Sequence, residues 1–230
     1  MSKVLRYSFL FIGLGLLILT ASVSEASAQI SEILKRMDAN NKSLQSLKAD
    51  VTMVKYDPVL KTSDISHGST SYLPETKKQK RYLRFEWTTK PVEQMSLSGD
   101  NYELYKPSIN TVYVGKVQKS KNPAGFNALS FVSMSRDQLR TNYTVVYLGE
   151  ERIKDGTATW HLQLTPKITA SYKVAELWVD GNGMPRQAKT TEQNNSSTTI
   201  LLSNIKKNET IKASVFVLDY DRKKVKKQKM

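Results

Sequence analysis

The chain has 230 residues, no cysteine and a formal charge of +14. The missing cysteines exclude disulfides, thiolate metal sites, thiol catalysis and lipid attachment to a cysteine behind a leader. The length is sufficient for one well-buried domain without covalent staples.

Lys3 and Arg6, an apolar run over 8–19 and the small triplet Ala26-Ser27-Ala28 have the three parts of a secretory signal peptide. Residues 1–28 therefore fall outside the expected fold, and the mature chain starts at Gln29. The run is shorter than the roughly 20 residues of a membrane-spanning helix, and no second such run follows. A soluble exported chain is expected, located in the periplasm.

Ile30, Ile33, Leu34 and Met37, followed by Leu44 and Leu47, recur at helical spacing and predict an amphipathic helix at the start of the domain. Short β-rich runs then predict strands over 49–56, 68–73, 82–87, 92–98, 102–106 and 111–117, separated by turn signals such as Ser98-Gly-Asp-Asn101. The stretch KRYLRFEW, 80–87, is notable because alternation puts Arg81 on the face of Leu83, Phe85 and Trp87. A guanidinium on an apolar face must reach water or an acceptor, because burial without one costs several kcal/mol.

Residues 126–139 predict one or two short helices, with Ser135 and Gln138 at capping-box spacing. Strands resume over 143–149, 158–165, 172–180, 187–193, 198–205 and 214–218, and Asp180-Gly-Asn-Gly183 reads as a tight hairpin. No βαβ rhythm is present, so a single meandering antiparallel sheet is expected. In 172–180, Ala175, Leu177 and Val179 line one face while Tyr172, Val174 and Trp178 share the other. Strands apolar on both faces call for a curled sheet with helices over it. The predicted fold is mainly β: one domain over 29–220, an incomplete antiparallel barrel of about a dozen short strands, with helices covering an apolar cavity.

The tail, 221–230, carries Arg222, Lys223, Lys224, Lys226, Lys227 and Lys229 and too few apolar residues to pack, so it is expected to be disordered. It either stays solvated or contacts an anionic membrane surface. Nucleic acid is not an expected partner of an exported chain.

Enzymatic chemistry finds little support. His67 and His161 lie far apart without a metal motif. Asp180-Gly-Asn-Gly has Thr191 where a calcium loop needs glutamate, and Ser203-Asn-Ile-Lys206 falls at a strand end rather than a helix start. No metal, cofactor or catalytic residue is expected.

The segment RYLRFEWTTKPVEQMSLSGDNYELYKP (81–107) resembles the LolA family of periplasmic lipoprotein carriers, with Phe85, Trp87, Pro91, Glu93, Ser98, Asp100, Leu104, Tyr105 and Pro107 in family-like order. LTPK (164–167), ELWVDGNGMP (176–185) and SNIKKN (203–208) continue the resemblance. It implies a half-barrel whose cavity takes acyl chains, in a monomeric carrier of acylated lipoproteins. The implied partners are an inner-membrane lipoprotein-release transporter and an outer-membrane acceptor. A lipid-sensing regulator of the same fold is the alternative.

Arg81 matches the family's strand arginine, which bonds the helical lid when closed. Tyr82 stands where proline is common in the family, and PETKKQK (74–80) has the character of an insertion, so Arg84 stays open as the alternative on the opposite face. Candidates for lining the cavity are Val51, Met53, Leu83, Phe85, Trp87, Leu177 and Val179, with Phe126, Leu129, Phe131 and Met134 on the lid side.

Overall fold

The computed structural model describes residues 26–89, 91–117, 130–131 and 134–229. Twelve strands form one sheet: β1 Leu47–Asp57, β2 Thr62–Leu73, β3 Tyr82–Trp87, β4 Glu93–Ser98, β5 Asn101–Lys106, β6 Thr111–Lys116, β7 Tyr143–Arg152, β8 Ala158–Pro166, β9 Val174–Asp180, β10 Pro185–Thr191, β11 Ser197–Lys207 and β12 Lys226–Lys229. Two meanders, β1 to β6 and β7 to β11, join where β1 pairs antiparallel with β11. The order ends in β7 on one side and β12 on the other, so the sheet curls without closing. Helix α1 runs over 26–43 and α2 is Arg136–Asn142.

The register explains the core. Directly paired residues share a face, and the pairs Val51↔Leu202, Leu83↔Leu97, Phe85↔Met95 and Leu162↔Leu177 stack one apolar row after another on the concave side. Onto that surface α1 lays Ile33, Leu34 and Met37, with Leu44 following, all buried. Burying each is worth on the order of 2 kcal/mol.

The β9–β10 turn fixes α1 from outside the core. Gly183, at φ 80°, lies so close that a Cβ there would stand 2.3 Å from the Arg36 carbonyl carbon. Only glycine serves at that point. Arg36 Nη1 donates to Gly181 O at 2.9 Å, and Lys207 Nζ donates to Asn40 Oδ1 at 2.9 Å. Helix α2 has the expected capping box: Gln138 N donates to Ser135 Oγ, and Ser135 N to Gln138 Oε1.

Two expectations at the C-terminal end are corrected. Residues 214–218 are not a strand; a 3-10 turn, Ala213–Phe216, crosses the convex face instead. Its carbonyls are taken by side chains rather than by a ladder, with Arg84 Nη1 donating to Val215 O and Val217 O at 2.8 Å and Ser96 Oγ donating to Phe216 O.

The tail, expected to be disordered, is ordered through Lys229. Tyr220 packs on Tyr105 and donates to Glu103, Asp221 supports a turn, and β12 then pairs in parallel with β6. A backbone ladder needs no apolar side chains, so composition alone could not exclude it. Lys223, Lys224, Lys226, Lys227 and Lys229 are solvent-exposed there, and Arg222 pairs with Glu103 at 3.6 Å.

Candidate functional site

The concave face and its cover form the candidate site. Val51, Met53, Leu83, Phe85, Trp87, Leu177 and Val179 all point into this one core, each buried. From the lid side Phe131 is fully buried and Met134 packs against the same cluster. Phe126 and Leu129, and residues 1–25 of the expected signal peptide, lie outside the described residues. The structure thus collects the nine described candidates around one apolar surface.

Phe131 sits against two tyrosines. Its ring centroid is 5.8 Å from that of Tyr143 and 6.5 Å from that of Tyr172, whose hydroxyls bond to each other at 2.7 Å. This seat was missed in the sequence, because the two tyrosines are 29 positions apart and only strand pairing brings them together.

Helix α1 is bonded to the β9–β11 side, and α2 leads directly into β7. Between the cover and β2–β3 lies an open cleft of about 460 Å³, lined on one side by Leu44, Met134 and Gln138 and on the other by Tyr72, Pro74 and Arg81.

Arg81 stands at this seam with 33% of its side chain exposed. Its Nε donates to Gly99 O at 3.0 Å and its Nη2 to Asp100 Oδ1 at 2.8 Å. Both bonds go to the β4–β5 turn rather than to a helix. Arg84 lies on the convex face, as alternation requires, and pairs with Glu86 while binding the C-terminal segment. That removes Arg84 as a cavity residue.

His161 also lies on the convex face, stacked on Trp178 and placed between Glu151 and Glu176 at 3.1 and 3.0 Å. Among the described residues no cluster of three or more His, Cys, Asp or Glu side chains is placed to hold a metal. No helix there is long and apolar enough to cross a membrane.

The sequence profile of the family described as outer membrane lipoprotein carrier protein LolA matches residues 78–219. The chain belongs to the LolA family. No curated protein matches it in sequence. Among solved structures, an uncharacterized conserved protein from Thermus thermophilus is similar at 13% identity and a TM-score of 0.55, covering 89% of this chain and 99% of its own. MucB is similar at 12% identity and a TM-score of 0.54, over 84% of this chain and 63% of MucB. A LolA superfamily protein from Nitrosomonas europaea has 15% identity and a TM-score of 0.44, covering 83% and 98% of the two chains. The family match and the described residues agree: an open twelve-stranded sheet with helices α1 and α2 over it is the fold of this LolA-family chain.

In this LolA-family chain the tyrosine seat makes a pH prediction. Burial is the main cause that pushes the hydroxyls of both Tyr143 and Tyr172 above the ordinary tyrosine value. In the unfolded chain they ionise near pH 10, while the folded chain keeps them neutral, so their contribution is fully present below about pH 10 and is lost as pH rises above it. The double variant Tyr143→Phe, Tyr172→Phe is expected to lose less stability than wild type between about pH 9 and 11. Urea midpoints at both pH values check this; parallel losses in the two proteins would refute it.

Proposed function

We propose that this chain is a non-enzymatic periplasmic carrier that shields the acyl chains of lipoproteins on its concave face and conveys them from the inner membrane to the outer membrane. The observation that carries this reading is an apolar concave sheet face covered by separate helical pieces, with an open cleft where the cover meets β2–β3. Exposing the ~48 methylene-type carbons of a triacylated lipoprotein, at ~0.8 kcal/mol each, would cost on the order of 40 kcal/mol, so cargo must be covered in transit. It must also be released. A cover that competes with acyl chains for the same face permits both by population shift.

In this reading the partners are acylated lipoproteins, an inner-membrane release transporter and an outer-membrane acceptor, with a transient anionic membrane contact through the basic residues of β12 and the turn before it. The carrier acts as a monomer and uses no cofactor.

Arg81 is assigned to the cleft. A cation held at the seam by Gly99 and Asp100 keeps that part of the wall polar. Leucine there would extend the apolar face by one side chain, worth ~1.5–3 kcal/mol at full burial. Arg81→Leu is expected to retain bound cargo and to slow its delivery about tenfold. A transfer assay from loaded carrier to acceptor reads this, and wild-type transfer by the variant would dismiss the role.

Native mass spectrometry of protein purified from periplasm without detergent tests the reading as a whole. A one-to-one complex with an acylated protein supports it. Empty protein that also fails to extract lipoproteins from inner-membrane vesicles overturns it. A second reading, which the fold accommodates equally, is a lipid-responsive regulator whose apolar face binds a free lipid instead of a lipoprotein. A bound phospholipid or fatty acid in place of lipoprotein would favour that reading.

A further inference from the structure

The β1–β2 hairpin reaches past its neighbours. β3 ends at Trp87, opposite Gly68, so residues 62–67 of β2 run on beyond it. β11 begins pairing with β1 at Tyr56, which leaves the connecting turn outside the sheet. At this turn stand Val59 and Leu60, 86% and 69% exposed, the two most exposed large hydrophobic side chains among the described residues.

Their exposure is built into the turn. Asp57 Oδ1 accepts from Val59 N at 2.8 Å and from Leu60 N at 3.1 Å, and Lys61 adopts φ 55°. The carboxylate thereby holds both backbone amides inward and leaves the two apolar side chains outermost. Behind them, Tyr56 and Ile65 are also exposed, and Lys55 and Lys61 supply cations beside Asp64. An apolar point followed by an aromatic ring and lysines is the order that suits a bilayer, from acyl boundary to headgroups.

The shape decides between a protein and a lipid partner. A stable protein interface takes about 800 Å² from each side, far more than a two-residue convex point offers. A bilayer accepts a convex apolar point directly, and a chain of charge +14 is drawn to an anionic one.

We infer that the Pro58–Lys61 turn is a membrane-docking tip: Val59 and Leu60 enter the headgroup–acyl boundary of an anionic bilayer, with Tyr56, Lys55 and Lys61 at headgroup level. The tip is separate from the basic β12 edge, since β3, β4, β5 and β6 stand between β2 and β12 in the sheet. It serves a carrier and a lipid-responsive regulator equally and does not rest on the carrier reading.

Flotation of the purified chain with vesicles of phosphatidylethanolamine and phosphatidylglycerol tests this, compared with phosphatidylcholine alone. Wild type is expected to float with the anionic vesicles, and V59S/L60S to bind them about tenfold more weakly with an unchanged unfolding midpoint, since neither side chain is buried. In L60W, tryptophan emission is expected to shift to the blue on vesicle addition and to be quenched by lipids brominated in the acyl chain. Deleting residues 222–230 is expected to weaken flotation without removing that quenching. Equal binding by V59S/L60S and wild type would overturn the inference, as would unshifted L60W emission or a wild type that ignores both vesicles. Native mass spectrometry of V59S/L60S keeps the two readings distinguishable: cargo retained with vesicle binding lost assigns the tip to docking alone.

Discussion

Phe131→Ala is expected to destabilise the chain by about 3–5 kcal/mol, the usual cost of emptying a fully buried phenylalanine site. The side chain has no solvent exposure and rests on two aromatic rings. Little around it can collapse into the vacated space, because Tyr143 and Tyr172 are held by their mutual hydroxyl bond. Urea unfolding monitored by circular dichroism gives the magnitude; a loss below ~1 kcal/mol would mean that the aromatic seat contributes little. Phe131→Leu, which keeps most of the volume, should recover more than half of the loss.

The same substitution reports on the cover. If the piece carrying Phe131 can leave the sheet while the strands stay folded, Phe131→Ala favours the uncovered state, and binding of an apolar dye at low urea should rise before the strands unfold. Dye binding that follows only global unfolding would show the cover and the sheet to be one cooperative unit.

Much of this arrangement was readable from local pattern. The alternation in KRYLRFEW placed Leu83, Phe85 and Trp87 inward and Arg84 outward, because a strand's period of two admits no other division. The capping box at Ser135 and the helical stripe of Ile33, Leu34 and Met37 were equally local, and all are present. What escaped were contacts between distant positions. Arg84 meets Val215 across 131 positions and Asn40 meets Lys207 across 167, and no periodicity in either partner announces the other. Core and cavity also look alike in sequence: Leu177 and Val179 are fully buried under the cover, and their composition would be the same beneath acyl chains. The exposed tip was overlooked for the opposite reason, since Val59 and Leu60 have the composition of a strand and only the turn built on Asp57 turns them outward.

Arg84→Ala is expected to cost about 2–4 kcal/mol and to loosen the C-terminal segment first. Its side chain is 13% exposed, and its guanidinium donates to two carbonyls of that segment and pairs with Glu86, while its Nε is buried without a partner. Alanine removes the charge together with its burial cost, yet strands the Val215 and Val217 carbonyls and leaves Glu86 unpaired against the convex face. The loss of three charge-assisted bonds outweighs the recovered desolvation. Phe216 and Leu218 would keep part of the segment in place, being buried, and Ser96 would still hold the Phe216 carbonyl. Beyond them the parallel pairing of β12 with β6 depends on a segment that has lost its strongest polar anchor. Hydrogen exchange should therefore show early loss of protection over 213–229 with the β7–β11 meander unchanged, and trypsin should cut between residues 222 and 229 sooner than in wild type. Arg84→Lys is expected to recover less than half of the loss, because a single ammonium cannot reproduce the planar fork. Undiminished protection over 213–229 in Arg84→Ala would assign the attachment to Phe216, Leu218 and Tyr220 instead.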